Sequence, residues 1–206
     1  MTRSKSSRRW LDEHFSDPFV KRAAKEGWRS RAAFKLMEIQ DKDRIFRPGM
    51  HVVDLGAAPG GWSQVAARYL NGKGKVIALD RLPMDPLPDV TFIQGDFNDE
   101  AVYQTLMDAL GGQQVDLVMS DIAPNMSGVA AVDQARSMQL AELALEFAAE
   151  VLRPGGVLLV KVFMGSGADA LRTAIKARFG RIVVRKPEAS RARSAEQYWL
   201  GMDFKG

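Results

Sequence analysis

The sequence predicts an α/β fold, a mostly parallel seven-stranded sheet with helices on both faces. Three observations predict it. From residue 51 onward, short apolar runs alternate with amphipathic stretches of helical period. The runs carry apolar residues at successive positions, as strands buried on both faces must. The link between the last two runs, Lys186 to Glu196, is too short for a crossover helix, so the last strand should run antiparallel.

The elements follow in order. Asp17 to Glu26 reads as a short helix capped by Ser16 or Asp17 and broken at Gly27. Ser30 is the expected cap of a second helix reaching Asp43, with Ala33, Phe34, Leu36, Met37 and Ile39 as its apolar residues. Arg47-Pro48-Gly49 is a turn. Strands are predicted at 51–55, 75–80, 90–94, 115–122, 157–163, 181–185 and 197–204. Helices are predicted at 62–70, 100–110, 134–152 and 168–179. Arg153-Pro154-Gly155-Gly156 is expected to close the long helix as a turn.

Composition bounds the function. The chain has 206 residues, 46% apolar and 26% charged, enough for one domain with a real core. It divides into a basic helical extension over 1–45 and a core over 46–206. The absence of cysteine excludes a disulfide framework, a thiolate metal site and a cysteine nucleophile. His14 and His51 lack metal-site spacing, so no metal is expected. No apolar stretch approaches the roughly 18–20 residues that span a bilayer, and the basic, serine-rich start is not a secretory signal. The expectation is a cytoplasmic monomer away from membranes.

The net charge of +4 conceals an asymmetry. Residues 1–35 carry ten Lys/Arg against four Asp/Glu, and residues 176–193 carry seven against one. Each segment is therefore +6 and the remainder −8. Two basic ends around an acidic middle predict a polyanion-binding surface assembled from both, unless they are simply solvated.

In a parallel sheet, ligands sit beyond the carboxyl ends of the strands. The first strand ends in Asp54-Leu-Gly-Ala-Ala-Pro-Gly-Gly61, a tight turn of small residues at a helix N-terminus. It lacks the dinucleotide spacing, and Trp62-Ser63 replaces the lysine and hydroxyl of a phosphate-binding loop. Asp80 ends the second strand and could accept hydrogen bonds from ribose hydroxyls, or cap a turn. Asp96-Phe97 follows the third, where a carboxylate and an aromatic face suit an adenine amine and ring, although Asp96 could equally cap the next helix. Asp121-Ile-Ala-Pro-Asn125 follows the fourth. Carboxylates at successive strand ends beside a glycine loop describe an adenosine pocket.

With these residues in place, the chain resembles the FtsJ family of S-adenosylmethionine-dependent methyltransferases. Asp54-Leu-Gly-Ala-Ala-Pro-Gly-Gly-Trp-Ser63 is similar to its motif I and Ser120-Asp-Ile-Ala-Pro-Asn125 to its motif IV. Ser30-Arg-Ala-Ala-Phe-Lys-Leu36, Leu158-Leu-Val-Lys-Val-Phe163 and Arg191-Ala-Arg-Ser-Ala-Glu-Gln-Tyr198 resemble its N-terminal helix, lysine strand and C-terminal segment. The resemblance spans about residues 10–205, without a departure at a motif position. It implies a Rossmann-like class I methyltransferase fold, a catalytic tetrad of Lys35, Asp121, Lys161 and Glu196, and cofactor contacts at Gly60, Trp62, Asp80, Asp96 and Asp121; the adenine reading adds Phe97. It also implies S-adenosyl-L-methionine as cofactor, ribosomal RNA as partner within the large ribosomal subunit, and methylation of a ribose 2′-hydroxyl on a uridine of the A loop.

Read without the resemblance, Lys35 looks like a solvated helix residue and Glu196 like surface. Lys161 is different: it interrupts the apolar run Val157 to Phe163, and burying an ammonium is costly unless it is paired. It could accept the hydroxyl proton or stay charged beside an alkoxide, or else snorkel from a strand end. Asn125 stands where base-methylating enzymes carry an aromatic, which favours ribose over base. The competing expectations are an RNA-binding or chaperone-like module holding the cofactor as a structural ligand, and a small-molecule O-methyltransferase. The lysine in an apolar strand opposes the first, and the basic ends oppose the second.

Overall fold

Two helices precede the sheet, α1 (Pro18–Glu26) and α2 (Ala32–Asp43). The alternation then runs β1 (His51–Leu55), α3 (Gly61–Leu70), β2 (Lys75–Asp80), β3 (Val90–Gln94), α4 (Glu100–Leu110), β4 (Val115–Ser120), α5 (Ala130–Val151), β5 (Leu152–Phe163), α6 (Ala168–Arg178), β6 (Phe179–Arg185) and β7 (Glu196–Phe204). The computed structural model describes residues 16–191 and 194–206. The basic tail read from Met1 to Arg9, and Arg193, lie outside the described residues.

The seven strands form one sheet in the order β3-β2-β1-β4-β5-β7-β6. β1 to β5 pair in parallel, and β7 inserts antiparallel between β5 and β6. The order reverses between β1 and β4, which places the crevice for a ligand beyond their carboxyl ends. Adjacent residues feed opposite layers, as the two-residue period of a strand requires. Val53 and Leu55 pack with α4, α5 and α6 residues such as Leu106, Leu145 and Leu171. Val52 packs on the other face with Leu36 and Ile39 of α2 and with Trp62 and Val65 of α3.

Several boundaries differ from the expectation: β4 ends at Ser120 and β6 begins at Phe179, and three further differences bear on the packing. Helix α2 begins at Ala32, two residues after Ser30. Ser30 is instead pressed against Gly61, where an added Cβ would come within 2.3 Å of its hydroxyl. Helix α5 starts at Ala130, four residues before the expected start, because its cap position is Val129, which offers no side-chain cap to announce it. The segment Arg153 to Gly156 is not a free turn: β5 already begins at Leu152, which pairs with Val115 before the register shifts ahead of Leu117. Arg153 fastens this irregularity through a 2.6 Å ion pair with Asp116.

Gly56 opens the loop after β1 at φ 78°, and a Cβ there would lie 2.5 Å from the Ile122 side chain and 3.1 Å from its Cα. Gly72 has a similar φ of 67° with nothing within 4 Å. Gly56→Ala is therefore expected to cost roughly 2–4 kcal/mol, from left-handed strain plus overpacking, and Gly72→Ala only about 1 kcal/mol. Urea denaturation of both variants checks this; equal losses would contradict the close approach at Ile122.

Candidate active site

The loop after β1 is tied to the end of β2. Gly56 and Ala57 donate their amides to the Leu79 carbonyl at 2.8 and 3.1 Å. Ala58 donates to Asp80 Oδ2 at 2.9 Å, and Leu82 donates to Asp80 Oδ1 at 2.8 Å. Asp80 therefore holds the turn, and each oxygen keeps a further lone pair for a ligand hydroxyl. Arg29, between α1 and α2, braces the same loop from outside by donating to the carbonyls of Pro59, Asp85 and Pro86.

A cavity of about 450 Å³ opens beyond the carboxyl ends of β1, β2, β3 and β4. Asp80, Asp96, Phe97 and Asp121 line it, together with Gly56 and Ile122. Its size suits a nucleoside-sized ligand. Asp96 accepts from the backbone and side-chain amides of Asn98 at 3.0 and 2.9 Å, and these bonds, with Arg81 beside it, hold its carboxyl below the ordinary value. The helix cap is Asp99, so Asp96 is left for the cavity. Phe97 presents one part of its ring here while packing edge-on against Phe147 at 5.4 Å.

Gly60 and Trp62 stand elsewhere. Gly60 caps the N-terminus of α3 at φ 104°, pressed against Met84 and Arg29. The Trp62 side chain is buried, its indole N–H donating to the Ala32 carbonyl at 2.9 Å and its ring 5.6 Å from that of Tyr198. The Gly60 amide donates to the Ala57 carbonyl at 2.6 Å, so what this turn can offer a ligand is the Trp62 backbone at the helix N-terminus and the close approach that a residue without a side chain allows.

The four residues of the expected tetrad converge. Lys35 Nζ lies 2.7 Å from Glu196 Oε1. Lys161 Nζ lies 2.8 Å from Asp121 Oδ1 and donates to the Asp121 carbonyl at 3.0 Å. Tyr198 joins the two pairs: its hydroxyl accepts from Lys35 at 2.9 Å and donates to Asp121 Oδ1 at 2.7 Å. Lys35 is only 6% exposed and Glu196 only 8%, which overturns the reading of either as solvated surface. The physical reason is their pairing, 161 residues apart in sequence. β7 delivers Glu196 and Tyr198 because it runs antiparallel to β5, setting Tyr198 opposite Lys161 and Glu196 opposite Phe163.

Charge explains the protonation states. Burial pushes the Asp121 carboxyl up, but the charges of Lys161 and Lys35 and the bonds from Lys161 and Tyr198 outweigh it and hold it below the ordinary value. Burial likewise opposes ionisation of Glu196, and Lys35 and Lys161 overcome it. Tyr198 moves the other way: burial and the neighbouring Asp121 and Glu196 carboxylates keep its hydroxyl protonated far above its usual range. Asp54, at the end of β1, is 1% exposed and accepts from Ser63 Oγ at 2.6 Å. Burial raises it to about 7, with the Asp121 and Asp80 charges adding to the effect.

Sequence reasoning did not find Tyr198 as the bridge or Asp54 as a buried acid. Glu196, Tyr198 and Leu200 alternate onto one face of β7, but only the register with β5 shows that this face meets Lys161.

The basic ends meet only in part. Arg31 pairs with Asp17 at 3.0 Å and donates to the Ala189 carbonyl, which stitches the first basic segment to the second. Arg181, however, pairs in register with Met202, at the end of β7 remote from Glu196. Arg178 and Arg181 are engaged there by Glu146 and Asp203, and Arg185 by Asp43. The expected continuous surface from all of 176–193 is thus corrected: the early part of that segment faces away.

The profile of the FtsJ-like methyltransferase family matches residues 28–204. The chain belongs to this family. It is 63% identical over 206 residues, all of this chain and 94% of the relative, to the ribosomal RNA large subunit methyltransferase E of Acidithiobacillus ferrooxidans. The protein of that name from Pseudomonas aeruginosa is 58% identical over the full length of both chains. A crystal structure described as a ribosomal RNA methyltransferase from Plasmodium falciparum superposes with a TM-score of 0.77 at 33% identity, covering 87% of this chain and 100% of that one. As an FtsJ-like methyltransferase, the chain carries the Rossmann-like fold expected from its sequence.

Two outcomes are expected. Lys35→Met leaves Glu196 buried without its partner and should cost about 3–5 kcal/mol, while adding Glu196→Leu should recover much of that. Denaturant titration of the two variants measures it; additive losses would contradict the pairing. Asp54 binds a proton in the folded chain above its unfolded value of 3.8, so it withdraws stability as pH rises from about 4 to about 7. Asp54→Asn should flatten that fall in stability across the same window, and an unchanged slope would count against a buried acid there.

Proposed function

We propose that this chain transfers a methyl group from S-adenosylmethionine to a ribose 2′-hydroxyl of large-subunit ribosomal RNA, with the A-loop uridine as target. The observation that carries the reading is the Lys161 ammonium held 2.8 Å from Asp121, which itself lines the carboxylate-lined cavity. The cavity fits the cofactor's chemistry. Asp80 and Asp96 suit hydroxyl and amine donors, and Phe97 and Ile122 give apolar walls for an adenine. The N-terminus of α3 provides a backbone donor at Trp62 for a carboxylate, while the Gly60 amide is spent on the Ala57 carbonyl at 2.6 Å. When bound, S-adenosylmethionine supplies an electrophilic methyl on a sulfonium.

The chain's own residues supply the rest. A ribose hydroxyl is a weak acid and gains negative charge as it attacks. Lys161 spends two of its hydrogen-bonding directions on Asp121 and keeps one for that oxygen. A cation held there by Asp121 stabilises the charge where it develops. Lys35, Tyr198 and Glu196 fix Asp121 from behind, so Lys161 does not reorganise during the reaction. In this reading the extension before residue 46 is part of the catalytic unit, since α2 delivers Lys35. The names of the relatives support ribosomal RNA of the large subunit as substrate.

The test is incubation of undermethylated large ribosomal subunits with radiolabelled S-adenosylmethionine, followed by nuclease mapping of the label. Ribose 2′-O label is expected, and label on a base would overturn the reading. Lys161→Met should abolish transfer while retaining cofactor affinity. Asp80→Asn should weaken cofactor binding by about 1.5–3 kcal/mol in calorimetry.

A further inference from the structure

Among the described residues, large apolar side chains left exposed are few, and most gather at one edge. Met126 is 70% exposed, Val129 56%, Val132 39% and Met164 44%. All four belong to the segments that follow β4 and β5, the two strands that present Asp121 and Lys161. Each side of this rim begins one residue from the site. Asn125 lines the cavity and precedes Met126. Met164 donates its amide at 3.1 Å to the carbonyl of Ala195, the neighbour of Glu196.

The rim is held in shape. Asp133 in the first turn of α5 is buried and accepts from the Ser127 amide and hydroxyl, both at 2.7 Å, and from the Gly128 amide at 3.1 Å. Met126 and Val129 flank these two anchored residues. Gln134 donates to the carbonyls of Phe163 at 3.0 Å and Ser166 at 3.1 Å, which locks the β5 loop carrying Met164 to the helix turn carrying Val132. A fixed loop that leaves methionine and valine in water, beside a site for a polar sugar, calls for an apolar occupant.

We propose that Met126, Val129, Val132 and Met164 form a platform for the unstacked nucleobase carried by the acceptor ribose. This inference rests on the RNA ribose methylation read above. The 2′-hydroxyl and the base sit on adjacent carbons of the sugar, so a hydroxyl delivered to Lys161 brings its base to the adjoining edge. A base drawn out of its stack loses its neighbours, and apolar side chains replace that contact without demanding one base identity. Methionine suits the role because its polarisable, unbranched chain adapts to an aromatic face. Because the loop is already anchored, little ordering opposes the contact.

The experiment compares wild type with Met126→Ser/Met164→Ser on undermethylated large ribosomal subunits, measuring kcat/KM, cofactor affinity and Tm. In parallel, Met126 is replaced by p-benzoylphenylalanine and the complex with the same subunits is irradiated. The platform predicts a fall in kcat/KM of about tenfold, as loss of one base contact implies. Cofactor affinity and Tm should stay at wild-type values, and the crosslink should fall on RNA at the methylated nucleotide. Ribose methylation by wild type with an unaffected double variant overturns the platform alone. So does a crosslink confined to a ribosomal protein, which would make the rim a protein-docking edge. Absence of ribose methylation by wild type overturns the enzymatic reading and the platform with it.

Discussion

The mouth of the sheet is organised around a carboxylate taken out of water. Asp121 sits just past β4, where burial opposes its ionisation, and two lysines with a tyrosine hydroxyl outweigh that burial. Removing charges from water costs several kcal/mol per ion unless geometry returns it. The geometry here draws on three distant parts of the chain. Helix α2 must dock for Lys35 to arrive, β5 must carry a lysine through an apolar layer, and β7 must insert antiparallel for Glu196 and Tyr198 to face it. The antiparallel strand is therefore what assembles this cluster, since a parallel β7 would offer its residues in the opposite sense along the sheet.

The same constraint orders the neighbouring cavity. Asp80 is occupied from both oxygens by loop amides, so it shapes the glycine loop as well as facing the ligand space. Asp54 is shut away from solvent beside them: burial first, and then the Asp121 and Asp80 charges, hold its proton to about pH 7. A neutral Asp54 adds no third charge to the crevice that Asp121 and Asp80 share.

Much of this was legible in the sequence, and the reason is local physics. Strands such as Lys75–Asp80 and Val90–Gln94 have boundaries set by their own apolar runs and flanking turns, and they stand where the pattern put them. Asp80, Asp96, Asp121 and Lys161 could be picked out because parallel strands export their ends to one side. Lys35 and Glu196 were invisible to such reasoning, as each becomes buried only through the other, and the family resemblance alone brought them forward. Ser30 misled as a helix cap because its hydroxyl is used in a close approach to Gly61 that no local rule anticipates. The basic segment 176–193 was read as one surface; the register of β6 on β7 divides it, with Arg181 and Arg185 level with opposite ends of β7.

The electrostatic coupling of Asp121 to its lysines holds the site together, and carbon-13 NMR titration of the aspartate carboxyls measures it directly. Asp121 should titrate below the ordinary value of 3.8 in wild type and move upward in Lys161→Met, as burial loses its largest opponent. An Asp121 that titrates at the ordinary value and ignores the loss of Lys161 would contradict the account.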